Sequence, residues 1–467
     1  MTTSISFVDG MSNDATRAER YAAGKALRAK APRTSHGEWT PAADRPDPIS
    51  LLEESNRTRV PELVPIRYGR MSLSPFAFLR GSAGVMASDL ANTPVSGIKV
   101  QICGDAHLSN FGFFATPERN LVFDVNDFDE TLPGPWEWDV KRLAASIVVA
   151  GRQNGYTTQE NRQAVVRSMR EYHTLMQHMA SMCALDVWYQ HIDIGEIMGM
   201  VKRKEQERLQ REEKKASGRT NLGAFPKMVE KVDGVFRIKD EPPLIVHVED
   251  QGDAKKTEAH EAEWIKGYFA AYMETLPDDR RVLLNKYHFV DFARKVVGVG
   301  SVGTRTWIGL FMSGGDGDDP LFLQVKEADA SVIGPYAGYS PYANHGERVV
   351  QGQRLMQEAS DIFLGWTHGD VADLYVRQLR DMKLSEDIAT MTKKEFEQYA
   401  RWCAMALARA HARSGDPAQI SGYLGGSATF EQAVALFAEA YADQTERDHA
   451  ALLAAVKEGR IQAEVDV

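Results

Sequence analysis

At 467 residues, with 43% apolar and 26% charged side chains, the chain is long enough for two or three domains around buried cores. Its 65 acidic residues against 55 basic ones leave a formal charge of -10, which argues against a general nucleic-acid binder with a basic surface. Three scattered cysteines, Cys103, Cys183 and Cys403, are too few for a disulfide framework or a zinc cluster, and they fit a reducing cytoplasm.

Residues 1–48 are rich in Ala, Arg, Asp, Thr and Pro and carry no long apolar run. A loosely packed lead-in is expected there, with no signal peptide, no membrane association and a cytoplasmic location. The Ser74-Pro75 step predicts a helix start, with Phe76, Leu79 and Ala83 at helical spacing. Arg67, Arg70 and Arg80 could face phosphates, but surface ion pairs are their expected use.

Two short strands follow, Lys99 to Cys103 and Leu121 to Val125, with turn chemistry at Pro117-Glu118-Arg119-Asn120. Between them runs Gly104-Asp105-Ala106-His107-Leu108-Ser109-Asn110. An aspartate and an asparagine at this spacing can face one magnesium-phosphate centre. Asp105 would orient a hydroxyl and take its proton, Asn110 would offer a hard oxygen to magnesium, and His107 would hold the loop. The alternative is a polar turn in which Asp and Asn take ordinary turn roles. Asp124 and Asp127 lie near the end of the second strand, where a buried carboxylate is costly unless paired or bound to metal. Alternation sends them to opposite faces, so only one should reach the site. The competing reading is an acidic loop, Asp127-Asp129-Glu130, that binds nothing.

From Trp138 the pattern is helical, with Val140, Leu143, Ala144, Ile147 and Val148 on one face. Residues 158–280 look mainly helical, with a solvated mixed-charge helix from Lys202 to Lys215 and a short strand at Leu244 to Val248. His173 and His178 are five apart, off the spacing that aims two imidazoles at one ion. Segment 290–385 turns to β character, with strands at Trp307 to Phe311, Leu321 to Val325, Ile362 to Trp366 and Leu374 to Leu379. Ser313 to Asp318 reads as a hairpin loop, and a helix interrupts the strands at Gly346 to Ala359.

Ahead of the first of these strands stand Gly298, Gly300, Ser301 and Gly303, in a Gly-x-Gly-x-x-Gly pattern that could cover phosphates. A strand follows it instead of a helix, which disfavours a dinucleotide fold. Lys326, after Leu323-Gln324-Val325, resembles the phosphate-binding lysine of a Val-Ala-Ile-Lys element; otherwise it is a snorkelling edge lysine. It should pair with an acid of the next helix, where Glu347 suits the spacing better than Glu358. The strand Leu374 to Leu379 would then lead to a hinge beside an adenine. In the tail, Thr392 and Glu395 form a capping box ahead of Phe396, Tyr399, Cys403, Leu407 and Ala410, with a stop at Gly415. Thr429 and Gln432 predict a second box before a helix reaching Lys457.

Together these motifs resemble the aminoglycoside phosphotransferase and choline-kinase branch of the kinase-like superfamily. Its catalytic loop reads His-Gly-Asp-x-His-x-x-Asn; here Cys103 replaces the first His, while Gly104, Asp105, His107 and Asn110 match. Its Ile-Asp-Trp and Trp/Tyr-Asp-Leu-Ala elements resemble Asn126-Asp127-Phe128 and Trp138-Asp139-Val140, which makes Asp127 preferred over Asp124 as metal ligand. Leu407-Ala408-Arg409-Ala410-His411-Ala412 resembles the Leu-Ala-x-x-His-Ala helix that normally precedes the catalytic loop. Here it follows, so the segments run in the same cycle opened at another point, as a circular permutation would leave them. The resemblance implies an α+β, two-lobed kinase-like fold. Residues 49–289 would form a mainly helical large lobe, 290–385 a small antiparallel β lobe, and 386–467 would return to the large lobe. It also implies ATP, Mg2+ and a small-molecule, hydroxylated acceptor, with phosphoryl transfer as the reaction. A non-catalytic ATP-binding regulator and a nucleotidyl (AMP) transferase on the same fold are the alternatives. As a whole the chain also resembles a bacterial family catalogued as domain of unknown function 2252, through Arg70 to Gly81, Gly104 to Gly112 and Phe123 to Glu130. That likeness supplies no substrate.

Overall fold

A computed structural model describes residues 14–200, 203–218, 220–247, 267–296, 298–314, 319–369, 372–379, 382–384 and 386–465. Five helices open it: α1 (Arg17–Ala26), α2 (Pro48–Ser55), α3 (Val64–Ser72), α4 (Pro75–Gly81) and α5 (Ala83–Leu90). The lead-in is not loose from residue 14 onward. Thr16 and Glu19 close a capping box on α1, and Gly24 meets the Gln419 backbone so closely that a Cβ would lie 1.9 Å from its carbonyl oxygen. His36 is fully buried, with Nε2 2.6 Å from the Tyr423 hydroxyl. Composition conceals this packing because small residues achieve it by close approach instead of by an apolar stripe. Ser74 caps α4 as its sequence predicts, accepting the Ala77 N–H at 3.1 Å.

Two antiparallel ribbons follow, β1 (Lys99–Ile102) with β4 (Leu132–Pro135), and β2 (Phe111–Ala115) with β3 (Leu121–Val125). The helices α6 (Trp136–Gln153), α7 (Thr158–Ser181), α8 (Ala184–Tyr189), α9 (Ile194–Met200), α10 (Arg203–Ser217) and α11 (Asn221–Met228) come next. The mainly helical expectation for 158–280 misses a hairpin, β5 (Val229–Val232) with β6 (Val235–Ile238). Its signal was present: Asp233-Gly234 takes positive φ at both positions, as a two-residue hairpin turn requires.

Among the described residues the remaining β structure is one six-stranded antiparallel sheet. Its members are β7 (Ile245–Val246), β8 (His288–Lys295), β9 (Thr306–Met312), β10 (Pro320–Ala328), β11 (Gly365–His368) and β12 (Asp373–Gln378), in the order β11-β12-β10-β9-β8-β7. Helices α12 (267–274) and α13 (Asp278–Leu284) precede β8, while α14 (Gly334–Ala337) and α15 (His345–Met356) join β10 to β11. The unit therefore reaches back before residue 290. Val248 of the expected short strand and residues 315–318 of the expected hairpin loop lie outside the described residues. The strand expected from Ile362 starts three residues later, because the Asp361 carboxylate and carbonyl accept the N–H groups of Phe363 and Leu364 in a turn.

Alternation along β10 sets the two faces of this sheet. Leu321 and Leu323 pack with Tyr272, Leu276 and Leu284 under α12 and α13. Phe322, Gln324 and Lys326 take the other face, where Phe322 packs with Met228 and Ile238. The chain closes with α16 (Lys393–Ser414), α17 (Pro417–Leu424) and α18 (Thr429–Lys457). The expected box caps α16 and Gly415 ends it. The second expected box is absent: Ala428 is the N-cap of α18 and Thr429 bonds to Ser427 instead. With α6 and α7 these helices form the principal core, which also takes in the two ribbons and α15. The architecture is mixed α+β with antiparallel sheets. Among the described residues no helix is long and apolar enough to cross a membrane.

Candidate functional site

The loop after β1 can turn only because residue 104 is glycine. Its φ is +81°, and a Cβ there would lie 2.6 Å from the Glu130 carbonyl oxygen. The N–H groups of Cys103 and Gly104 donate to Asp139 in the first turn of α6, at 2.8 and 3.0 Å, and His411 of α16 stands 3.3 Å from the same carboxylate. Tyr399 of α16 donates to the carbonyls of Leu108 and Phe111. The loop is thus held from both sides, and it presents Asp105, largely buried, to the cavity. Asp105 Oδ1 accepts from Arg142 Nε at 2.8 Å, while Oδ2 lies 3.6 Å from His107 Nε2. Burial, abetted by Asp127 and Glu130, pushes the Asp105 carboxyl up to about 7 against the pull of Arg142. His107 is buried edge-on to Phe76 and held neutral by desolvation, with Nδ1 unpartnered. Asn110 closes the loop by donating to the Asp105 carbonyl at 2.7 Å; its side-chain oxygen accepts no hydrogen bond among the described residues.

The two candidate metal aspartates separate cleanly. Asp124, on β3, is fully buried 2.5 Å from Arg409 of α16 and accepts the N–H groups of Val125 and Glu358. Both of its oxygens are engaged by structural partners. Asp127, two residues beyond β3, lines a small cavity together with Asp105, Asp129, Glu130 and Ser301. Burial and the neighbouring Asp129 raise its carboxyl above the ordinary range.

The glycine-rich loop, between β8 and β9, delivers Gly300 and Ser301 to the same cavity, whereas Gly298 and Gly303 shape the turn without lining it. Arg59 fixes that loop by donating to the Gly300 and Val302 carbonyls at 2.9 and 2.5 Å, and the Val60 N–H donates to the Gly303 carbonyl. Lys326 Nζ donates to Ser301 Oγ at 2.7 Å and forms an ion pair with Asp129. Asp129 also accepts from the Tyr375 hydroxyl at 2.8 Å. Tyr375 stands opposite Lys326 in the β10–β12 register, so both point to one face. Burial opposes both charges, but each partner prevails on the other: Lys326 is raised and Asp129 lowered from their ordinary values.

The expected partner of Lys326, Glu347, is replaced by Asp129. Glu347 sits in the first turn of α15 beside Tyr342, and the next residue, Arg348, turns inward to donate to the Asp129 and Thr131 carbonyls. One step along a helix rotates a side chain by about 100°, so adjacent residues cannot share a face. Asp129 and Tyr375 escaped the sequence reading. Only the acidic run beside Asp127 hinted at the first. Arg67 and Arg80 are not surface pairs either, since both line the cavity; Arg67 donates to the Gly81 carbonyl and to Asn56. His173 is a core residue between Glu431 and the Gly425 carbonyl.

Among the described residues no group of three His, Cys, Asp or Glu is arranged to hold a metal ion alone. A hard cation bound mainly through substrate phosphates needs only one or two protein oxygens. Asp127 and Asp129, crowded in the cavity wall, offer carboxylate oxygens of that kind, whereas Asn110 is not among the residues that line the cavity.

A family model described as uncharacterized protein conserved in bacteria (DUF2252) matches residues 59–455. The chain belongs to that family. The match takes in the cavity-lining residues from Arg59 onward, including Asp105, Asp127 and Ser301, and also Lys326 behind them. No curated protein and no solved structure matches the chain.

Proposed function

We propose that this DUF2252 protein is an ATP- and Mg-dependent phosphotransferase of kinase-like type, acting on a small hydroxylated acceptor. The observation that carries the reading is convergence. Asp105, Asp127 and the glycine-rich loop meet at one cavity, and Lys326 is bonded to two residues of its wall, Ser301 and Asp129, although the Lys326–Asp129 pair spans 197 residues of sequence. Strand, glycine loop, strand, hairpin and lysine strand follow one another as in the front half of a kinase small lobe. A circularly permuted order is supported by α16, which packs against the Asp105 loop despite following it by 291 residues at the Tyr399–Leu108 bond.

In this proposal Gly300 and Ser301 cover the phosphates and Lys326 exchanges Asp129 for a phosphate oxygen. Asp127 holds magnesium, which when bound offsets phosphate charge. Asp105 Oδ2 takes the proton of the acceptor hydroxyl while Arg142 keeps Oδ1 in place. The acceptor oxygen bonds the γ-phosphorus as the bond from that phosphorus to the β–γ bridging oxygen breaks, and ADP leaves with that electron pair. A carboxyl near 7 is well matched to a general base at neutral pH.

The test is product analysis after incubation with ATP, magnesium and a panel of small hydroxylated molecules. An acceptor heavier by about 80 daltons, with ADP released, is the expected product of phosphoryl transfer. A gain of about 329 daltons with pyrophosphate would mean nucleotidyl transfer instead. Bound ATP with no product from any acceptor would favour a non-catalytic regulator.

A further inference from the structure

Arg80 has no part in the chemistry above, yet it stands where the transferred group would pass. It lies in the last turn of α4, and its side chain lines the cavity with Asp105 and Asp127. The glycine-rich loop rests on its backbone: a Cβ on Gly300 would lie 3.3 Å from the Arg80 carbonyl oxygen. Arg80 is therefore wedged between the loop that would cover phosphates and the aspartate that would take the proton.

Its neighbours are all committed. Arg59 donates to Gly300, Val302 and Ser55 carbonyls, Arg67 to Gly81 and Asn56, and Arg142 to Asp105 and the Leu79 carbonyl. Arg80, among the described residues, makes no hydrogen bond and no ion pair, and its Nε is sealed from solvent. Asp105 and Asp127 are near enough to favour its charge, but burial outweighs them and makes the guanidinium less basic than usual. A rigid fork of donors without acceptors is costly to keep in a cavity unless an anion completes it. Phosphate oxygens match that fork in geometry and charge.

We infer that Arg80 is a further catalytic residue, which binds the oxygens of the phosphoryl group in transit between ADP and the acceptor. The inference rests on the phosphotransferase reading. Arg80 forms no covalent bond and keeps its proton throughout; it offsets the charge on the oxygens while the bond to ADP breaks and the bond to the acceptor forms. Such an arginine, supplied from outside the phosphate loop, is a recurring device in phosphoryl transfer.

The experiment uses the full chain as wild type, Arg80→Ala and Arg80→Lys, with unfolding midpoints taken as a check on folding. Calorimetry would compare ATP with ADP, and ADP with ADP plus aluminium fluoride, a planar stand-in for the group in transit, all with magnesium. The expected result is near-equal ADP affinity in all three proteins, while Arg80→Ala loses about tenfold on ATP and all of the gain from aluminium fluoride. Arg80→Lys, which keeps charge without the fork, should recover ATP affinity in part and the aluminium fluoride gain hardly at all. If the Ala variant does not fold, the Lys variant decides alone. An unchanged aluminium fluoride gain in Arg80→Lys, or parallel loss of ATP and ADP, overturns the role of Arg80 and leaves the phosphotransferase reading standing. Wild type that binds neither nucleotide overturns both.

Discussion

Asp124 and Asp127 lie three residues apart and should respond in opposite ways to the same change. Asp124→Asn keeps volume but turns one acceptor oxygen into an NH2 donor and strands Arg409, which is fully buried and whose Nε and Nη1 already lack partners among the described residues. Removing one member of a buried ion pair costs about 3–5 kcal/mol. Glu358 sets the lower end of that range as the expected value. Burial, then repulsion from Asp124, pushes its carboxyl up to about 7; with Asp124 neutral it would ionise more readily and take over part of the Arg409 charge. A loss of about 3 kcal/mol is therefore expected. Asp127 makes no ion pair among the described residues and is crowded by Asp129, so Asp127→Asn should cost less than about 1 kcal/mol. Urea unfolding followed by circular dichroism measures both, and calorimetry below the transition measures ATP affinity with and without magnesium. Asp124→Asn should shift the midpoint and leave magnesium-dependent binding intact, and Asp127→Asn should do the reverse. A stable Asp124→Asn protein that has lost magnesium dependence would refute the assignment.

Other consequences follow from the same contacts. Arg59→Ala removes two donors from the glycine-rich loop, so hydrogen exchange over 298–304 should rise about tenfold; unchanged protection would show that the loop needs no clamp. Gly104→Ala forces a Cβ against the Glu130 carbonyl at φ +81° and should lower the unfolding free energy by at least about 1–2 kcal/mol, as read in urea. Lys141 is buried with no hydrogen-bond partner among the described residues, 4.9 Å above the Phe437 ring, facing Glu137 and the imidazole of His36. Desolvation lowers it from 10.5 to about 7, so between those values the unfolded chain binds more protons and stability rises with pH, by up to ~1.4 kcal/mol per pH unit. His36, pushed down to about 3 by burial, titrates below that window. Lys141→Met should flatten the slope between pH 7 and the ordinary lysine range, and equal slopes in the two proteins would contradict the burial argument.

Local rules account for what the sequence made legible. Alternation and capping are set within a few residues, so β10, β12 and α16 lie within three residues of their expected limits. Asp105, Ser301 and Lys326 were legible because motif spacing isolates them; Asp105 and Ser301 line one cavity, and Lys326 bonds to Ser301 from behind it. What escaped is set by distant packing. Choosing Asp129 over Glu347 as the partner of Lys326 depends on how the loop after β3 meets β10, and no local pattern encodes that approach. Arg80 and Arg142 are single arginines on amphipathic helices, whose inward aim depends on the seating of α4 against α6. The packing of α1 escaped for a different reason: glycine and alanine bury backbone against backbone and leave no hydrophobic period.

The central claim is that this cavity binds a magnesium nucleotide through Asp127. Calorimetric titration of wild type and Asp127→Ala with ATP, in the presence and absence of magnesium, tests it most directly. The predicted result is binding that requires magnesium and weakens at least about tenfold in the variant. Absence of ATP binding by wild type under either condition, or binding indifferent to magnesium and to Asp127, would contradict the account.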